Sequence, residues 1–386
     1  MSTTIIHSAR RVTDGAETGN AWLEMHGGTI AAVGEGETWR SRASTATIID
    51  AREVAGPGAV LTPGFVDIHG HGGGGFSYEG DESGIRAARA LHLARGTTRA
   101  VLSLVSGSLE HLTAQVARIA AMTQTDAGIL GSHLEGPFLD HGHRGAHDPA
   151  TLRAATPDAV AALLEAGAGT IRQVTLAPEL PGAAEAVRAF REAGVCVAVG
   201  HTDADFEATR AAFEAGASIL THAFNAMPPL LHRAPGPVGA ATADPRVTLE
   251  VIADGVHMHP ELVRILFAAA PGRIALITDA MAAAGVGDGR YVLGSLEVDV
   301  VDGVARLVET GAIAGSTLTQ DAALRVALAA GVDLPAAADA LTRAPAAAIG
   351  VADRHGSLRP SFAADAVLLD ASLAVRGVWL AGQRVR

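Results

Sequence analysis

The sequence contains the run Pro63-Gly64-Phe65-Val66-Asp67-Ile68-His69-Gly70-His71, a short apolar segment that ends in two histidines. Short apolar runs bounded by glycine or proline are typical of strands buried in a parallel sheet. Side chains along a strand alternate between its two faces, so His69 and His71 point the same way. Two imidazoles placed in this way can share one metal ion. The run therefore predicts a buried strand that carries a pair of candidate metal ligands at its end.

Similar runs recur along the chain, and stretches rich in Ala, Leu and Arg with a helical period lie between most of them. Strands that alternate with helices in this way predict an α/β fold, and eight of them form a closed (β/α)8 TIM-like barrel. The predicted barrel strands are Phe65–His69, Ala100–Val105, Ile129–Glu135, Ile171–Ala177, Val195–His201, Ile219–Phe224, Thr248–Ala253 and Ile274–Asp279.

The two ends of the chain show a different pattern. β-prone runs separated by turn residues occupy both the beginning and the end of the sequence. They predict one small β-sandwich module, built from residues 1–60 and 352–386, beside a barrel of residues 61–351. Within the barrel part, residues 290–310 alternate around a turn at Asp302-Gly303 and predict an inserted β-hairpin.

Composition excludes several classes of protein. With 386 residues, 48% hydrophobic and 18% charged, the chain can bury a sizeable core and is not disordered as a whole. The net charge of −12 and the absence of a basic tract argue against nucleic acid or a membrane surface as a partner. Residues 1–8 lack the apolar core of a signal peptide, and the single cysteine, Cys196, is typical of a reducing compartment. We therefore expect a cytoplasmic location.

The chain contains no lysine, which excludes a Schiff-base lysine, a P-loop lysine and a lysine carbamate bridging two metals. Polar residues follow the predicted strands, at the barrel face where active sites lie. Imidazoles and carboxylates suit a divalent ion, with Zn²⁺ favoured and Fe, Mn, Co or Cd as alternatives. In a barrel without lysine, a bridge between two ions must be a carboxylate, and Glu135 is available at a suitable strand end. The residues in question are His69, His71, Glu135, His201, His222 and Asp279.

Several longer motifs accompany these residues in a fixed order along residues 63–319. With them the chain resembles the N-acetylglucosamine-6-phosphate deacetylases, a branch of the amidohydrolase superfamily. The resemblance implies metal-dependent hydrolysis of the acetamide to glucosamine 6-phosphate and acetate, in amino-sugar catabolism and cell-wall sugar recycling. The motifs include Pro63–His71, His133–Pro137, Gly145-Ala146-His147, Thr221–Met227, Asp254-Gly255-Val256-His257 and Ala314–Thr319.

The resemblance also assigns roles to the metal site. It implies that Glu135, His201 and His222 hold one ion, and that His69 and His71 form a second site with Asp279 and the bridging Glu135. Some relatives have amide residues in place of the two histidines and work with one metal. Because this sequence keeps the pair, a binuclear site is favoured, although one ion per subunit stays open.

The remaining roles concern the substrate. The resemblance implies that Asp279 is the general base and acid and that His147 polarises the acetamide carbonyl. It implies that Arg233 reaches the phosphate from the neighbouring subunit, which requires a homodimer. The other implied substrate contacts are Ala146, Asn225, the backbone of Ala226, Asp254, His257, Ile313, Ala314 and Gly315.

Alternatives stay open at this point. The same metal ligands could serve an N-acetylgalactosamine-6-phosphate deacetylase or another amidohydrolase such as a deaminase. A non-catalytic scaffold on this barrel is disfavoured, since none of the ligands is missing. We expect His133 to pack beneath the metal site. The loop with His141 and His143 is interpreted either as a lid or as a solvated loop.

Overall fold

The computed structural model describes residues 3–386. Tight hairpins open the chain, and their turns at Asp14-Gly15 and Gly27-Gly28 have positive φ, as two-residue hairpin turns require. The elements of this part are β1 (Thr3–Thr13), β2 (Ala16–His26), β3 (Thr29–Glu35), a 3-10 helix (Thr38–Thr45), β4 (Thr47–Asp50), α1 (Ala51–Ala55) and β5 (Val60–Pro63).

The middle of the chain alternates between strands and helices. Several helices begin at a capping side chain: Asp81 accepts the N–H of Gly84, and Asp205 accepts that of Ala208. The elements are β6 (Phe65–Asp67), β7 (Gly72–Gly73), β8 (Phe76–Ser77), α2 (Glu82–Ala94), β9 (Thr97–Leu104), α3 (Leu109–Thr123), β10 (Ile129–Glu135), a 3-10 helix (Pro149–Thr151), α4 (Pro157–Gly167), β11 (Ile171–Leu176), α5 (Ala183–Glu192), β12 (Cys196–Val199), α6 (Phe206–Ala215), β13 (Ile219–Leu220), α7 (Gly236–Ala243), β14 (Thr248–Ile252), α8 (Pro260–Ala269) and β15 (Ile274–Ile277).

Eight of these strands form one parallel sheet in the order β6-β9-β10-β11-β12-β13-β14-β15. Each of them lies where the sequence predicted a barrel strand. The first and last strands meet through residues that follow them: Asp279 donates its N–H to the carbonyl of His69 at 2.8 Å. Below this point, the side-chain amide of Gln320 donates to the carbonyls of Val66 and Leu276. The seam is therefore bridged by hydrogen bonds directly beside the predicted metal ligands.

The rest of the chain completes both parts of the molecule. It contains β16 (Gly289–Leu293), β17 (Leu296–Val301), β18 (Val304–Leu307), α9 (Gln320–Ala329), α10 (Leu334–Leu341), α11 (Arg343–Ala348), β19 (Ala366–Leu369), β20 (Val375–Leu380) and β21 (Gln383–Arg384). Strands β16–β18 form an antiparallel sheet with one strand more than the predicted hairpin, because Gly294 adopts a positive φ and adds a turn. This small sheet packs on the barrel mouth through Leu293, Val105 and Met281.

Strands from both ends of the chain share a second sheet, in the order β21-β20-β19-β5-β1-β2-β3, with β4 paired to β1. Its own core contains Leu23, Met25 and Trp379, and it is separate from the core of the barrel. The predicted fold class, a (β/α)8 barrel with a β-module from both termini, is thus confirmed. A buried ion pair between Arg99 of β9 and Asp365 ties the module to the barrel.

Among the described residues, none of the helices combines the length and the apolar character that crossing a bilayer requires.

Candidate metal centre and active site

The predicted ligands lie just beyond the ends of the barrel strands. His201, His222 and Asp279 follow β12, β13 and β15, and all three have positive φ, an unusual conformation for residues other than glycine. Such strained residues concentrate at functional sites, where the surrounding structure fixes them. The fold thus holds these three side chains in place independently of their own backbone preference.

Glu135 lies at the centre of the group, at the end of β10. Its Oε1 is 3.1 Å from Nε2 of both His201 and His222, and 3.3 Å from Nε2 of His69. Its Oε2 is 3.2 Å from Nε2 of His71. The carboxylate therefore contacts histidines of both predicted ion sites, because Oε1 lies beside His201, His222 and His69 and Oε2 lies beside His71, as expected of a group shared by two ions.

Asp279 closes the other side of the group. Its Oδ1 lies 3.2 Å from Nε2 of His71 and 3.6 Å from Nε2 of His69. His69, His71 and Asp279 bring three ligand atoms within 4.8 Å of one another, and so do Glu135, His147 and His201. The resemblance assigns His222, and not His147, to the set that contains Glu135 and His201. Both histidines are buried beside Glu135, but Nε2 of His147 carries the proton of its ring, as described below, so His222 fits the ligand role better.

Two observations fit a divalent cation. The Nε2 atoms of His201 and His222 are 3.0 Å apart, close to the ligand–ligand distance of about 3.3 Å in a tetrahedral zinc site. Nε2 of His69 is buried and has no hydrogen-bond partner among residues 3–386, although buried polar atoms are usually paired. A cation bound between these nitrogens and the carboxylates would explain the short distance between the two nitrogens and would give Nε2 of His69 a partner.

The charges of the cluster support the same assignment. Burial raises the pKa of Glu135, but the charge of His69 and the hydrogen bonds of His147 and His201 to the carboxylate outweigh it and hold this pKa well below its usual range. For Asp279, His69 and His71 likewise overcome burial and lower the pKa to about 2. Both carboxylates are therefore ionised at neutral pH, which is the form that binds a metal.

His147 differs from the other histidines of the cluster. The backbone N–H of Ser106 donates to its Nδ1 at 3.2 Å, and burial lowers its pKa to about 4. The ring is therefore neutral at pH 7 and carries its proton on Nε2. That nitrogen lies 3.4 Å from Oε2 of Glu135, so the N–H is available as a hydrogen-bond donor beside the carboxylate.

A cavity of about 350 Å³ opens above the cluster, within the range of small-molecule sites. Val105 and Leu293, which the sequence did not indicate, add an apolar wall on one side. The predicted site residues that line the cavity are His71, Glu135, Ala146, His147, His201, His222, Asn225, Ala226, His257, Asp279, Ile313 and Gly315.

Three predicted substrate contacts lie outside this lining. Asp254 accepts a hydrogen bond from Nδ1 of His257 at 2.7 Å and thereby orients that ring. Ala314 is fully buried, and its N–H donates to the carbonyl of Ala305. Arg233 is exposed on the loop after Pro228-Pro229, beside the exposed Leu230 and Leu231. Within a single chain Arg233 is thus not part of the cavity.

Three further histidines discussed in the sequence analysis differ in their burial. His133 is fully buried beneath the cluster, as expected, with Ser103 at Nδ1 and Thr175 at Nε2. His143 lines the cavity, and its carbonyl accepts a hydrogen bond from Nδ1 of His201 at 2.9 Å, whereas His141 is exposed. The loop that carries them therefore covers one edge of the site.

Further buried polar residues lie behind the ligands and form hydrogen bonds with them or with their neighbours. These contacts were not predicted from the sequence. Asp67 accepts a hydrogen bond from the Thr278 hydroxyl at 2.6 Å, next to Asp279. Glu250 contacts His69, and Gln173 contacts Glu250. In the sequence, Glu250 and Gln173 can be recognised as polar residues in the middle of otherwise apolar strands.

Known proteins are similar to this chain over most of its length. The Amidohydrolase family matches residues 60–385. The N-acetylgalactosamine-6-phosphate deacetylase of Escherichia coli O157:H7 is 41% identical over 329 residues, which cover 84% of this chain and 87% of that protein. The N-acetylglucosamine-6-phosphate deacetylase of Bos taurus is 38% identical over 342 residues, covering 85% of this chain and 84% of that protein.

Among solved structures, a mutant N-acetyl-D-glucosamine-6-phosphate deacetylase from Mycobacterium smegmatis, in complex with N-acetyl-D-glucosamine-6-phosphate, has a TM-score of 0.93. It is 41% identical, and the match covers 100% of both chains. The similarity of fold and sequence extends over nearly the whole chain. The chain belongs to the amidohydrolase family, in the branch of the N-acetylglucosamine-6-phosphate deacetylases.

Proposed function

We propose that this chain hydrolyses the acetamide of N-acetylglucosamine 6-phosphate to glucosamine 6-phosphate and acetate. The observation that carries the proposal is the position of Glu135, which lies among the imidazoles of His69, His71, His201 and His222 beneath the cavity. The relatives that match most of the chain are deacetylases of 6-phosphorylated amino sugars by name.

The cluster would hold one or two divalent ions, and its histidine and carboxylate ligands favour Zn²⁺. Glu135, His201 and His222 would hold one ion, and His69, His71 and Asp279, with Glu135 between them, would hold the other. At this site a divalent ion would supply polarisation of the carbonyl group and a water of lowered pKa.

Asp279 would move the proton. Its carboxylate lines the cavity, and its low pKa keeps it ionised at neutral pH, so it can accept a proton from the attacking water. It can then deliver that proton to the nitrogen of the amide, which leaves as the free amine. One carboxylate serves both steps because the amine is a poor leaving group until it is protonated.

His147 would stabilise the carbonyl oxygen as its negative charge develops. The Ser106 N–H occupies Nδ1, so Nε2–H is left as the donor, and this preorganised hydrogen bond needs no rearrangement during the reaction. His257, oriented by Asp254, and Asn225 line the same cavity and would bind the sugar or its phosphate.

Arg233 would reach the phosphate of the neighbouring subunit in a homodimer. Support comes from its exposed position outside its own cavity and from the exposed Leu230 and Leu231 beside it. A guanidinium group suits a phosphate because it offers two parallel N–H donors. A cytoplasmic location remains a prediction from the sequence.

A second candidate substrate is N-acetylgalactosamine 6-phosphate, because the 41% identical Escherichia coli relative is named for it. Acetate release from both 6-phosphorylated sugars, and from N-acetylglucosamine without phosphate, distinguishes the two candidates. We expect the highest kcat/KM with N-acetylglucosamine 6-phosphate, loss of activity after chelation and recovery with Zn²⁺. Metal-replete protein that releases no acetate from either phosphate would refute the proposal and favour another amidohydrolase reaction such as deamination.

A further inference from the structure

Glu250 is a fully buried carboxylate in the middle of β14. Its neighbours in that strand, Leu249 and Val251, are fully buried apolar residues. A buried charge is costly unless it is paired and hydrogen-bonded, so a glutamate at this position requires a specific reason. It lies outside the cavity lining and cannot contact a substrate there.

The contacts of Glu250 supply that reason. Its Oε2 lies 2.9 Å from Nδ1 of His69, which donates to it, and 3.3 Å from the backbone N–H of His222. Its Oε1 accepts a hydrogen bond of 2.7 Å from the side-chain amide of Gln173. Both oxygens are therefore paired, and Oε2 connects a histidine of each proposed ion.

This hydrogen bond determines which nitrogen of His69 faces the cluster. When His69 is neutral, as a metal ligand must be, Nδ1 carries the proton donated to Glu250 and Nε2 is left with its lone pair. Nε2 is the atom that lies 3.3 Å from Glu135 and 3.6 Å from Asp279 and has no hydrogen-bond partner among the described residues. A carboxylate behind a histidine ligand also raises the basicity of that ligand.

We propose that Glu250 is a positioning residue for the ion held by His69, His71 and Asp279, so that it decides whether the chain carries two ions or one. The inference rests on the metal centre of the proposed function and deepens it. Gln173 holds the other carboxylate oxygen of Glu250 and therefore contributes to the same positioning.

The test compares Glu250→Leu with Glu250→Gln. Leucine leaves Nδ1 of His69 without an acceptor and also removes the weaker contact of 3.3 Å to the backbone N–H of His222. Glutamine keeps an acceptor, because its carbonyl can accept from His69. Its amide can donate to Gln173 once the side-chain amide of Gln173 turns over, which brings round an Oε1 that is otherwise buried without a partner among residues 3–386. His69→Asn, which removes the ligand itself, serves as the positive control. Asp365→Asn, which breaks the distant pair with Arg99, is the control for general destabilisation.

Each protein is stripped with a chelator, titrated with Zn²⁺ against a chromogenic competitor and analysed for metal per subunit; Co²⁺ spectra report the coordination. We expect two ions in the wild type and in Asp365→Asn. In Glu250→Leu we expect one retained ion and an affinity for the second that falls about 10–100-fold, with a larger loss in His69→Asn and a smaller one in Glu250→Gln.

The inference is overturned if Glu250→Leu binds two ions with wild-type affinities, if it loses both ions together, or if the wild type binds only one. None of these measurements contains a sugar. A protein that binds two ions through Glu250 but releases no acetate would therefore refute the proposed function and leave this inference intact.

Discussion

The backbone N–H of Ser106 points at Nδ1 of His147 at 3.2 Å, and this contact leaves Nε2–H of the same ring beside Glu135. Strand β9 ends at Leu104, so Ser106 belongs to the loop that follows it, whereas His147 lies in the loop after β10. Two loops of the barrel mouth thus cooperate to set the tautomer of one imidazole.

We expect His147→Ala to lower kcat about 10²–10³-fold, the usual effect of removing one donor to a developing oxyanion. His147→Gln should fall between this variant and the wild type, because its amide still offers an N–H. Steady-state kinetics check this, with the exposed His26→Ala as a control. A kcat of His147→Ala close to that of the wild type would remove the proposed role.

Asp279→Asn should retain most of its metal and lose about 10²–10⁴ in kcat, the typical contribution of a positioned proton carrier. Its amide keeps the shape of the side chain but accepts no proton at neutral pH. Metal content and turnover are measured on the same sample. If turnover persists while metal is bound, another residue is the base.

Arg233→Ala should raise KM for the phosphorylated sugar about 10–100-fold, since a charge-assisted hydrogen bond to phosphate contributes about 1.5–3 kcal/mol. We expect little change in kcat. Mixing Arg233→Ala with Asp279→Asn tests the contribution across subunits, because a mixed dimer regains one intact site. A fully active monomer, or no gain on mixing after subunit exchange, would contradict it.

The buried pair of Asp365 and Arg99, 2.6 Å apart, predicts a pH-dependent stability. Burial raises the pKa of Asp365, but His355 and Arg99 outweigh it and hold the pKa below its usual range. The stabilisation is therefore complete above the ordinary aspartate pKa of about 4 and is lost as the pH falls through the folded-state value.

Asp365→Asn should cost about 3–5 kcal/mol at neutral pH, because it leaves a buried guanidinium uncompensated. Its thermal midpoint should depend less on pH below about pH 5 than that of the wild type. Melting curves across this range check both expectations. The exposed Arg290–Asp299 pair offers a control, and Asp299→Asn should leave the midpoint nearly unchanged.

Local sequence patterns were sufficient for the elements of the barrel. The predicted strand Ile129–Glu135 has the bounds of β10, and the other barrel strands differ from their predictions only at their ends. The third strand in residues 290–310 was harder to predict, because the additional turn depends on the positive φ of one glycine, Gly294, and not on the alternation of the strands.

In the site, too, some features were predictable from the sequence and others were not. Residues that follow the strands of a parallel barrel must meet at one face, so the convergence of Glu135, His201 and Asp279 was predictable from their places in the sequence. Arg233 and Asp254 were assigned by resemblance, and the structure places neither in the lining of the cavity.

The sequence by itself determined the order of strands and helices, the face that carries the chemistry and the kind of ligand, because hydrophobic period and residue type act over short stretches of chain. Only the tertiary structure decided which atoms meet. His69 and Glu250 lie 181 residues apart, and closure of the barrel brings them within 2.9 Å. The protonation of that imidazole follows from a contact between distant segments, which no local pattern encodes.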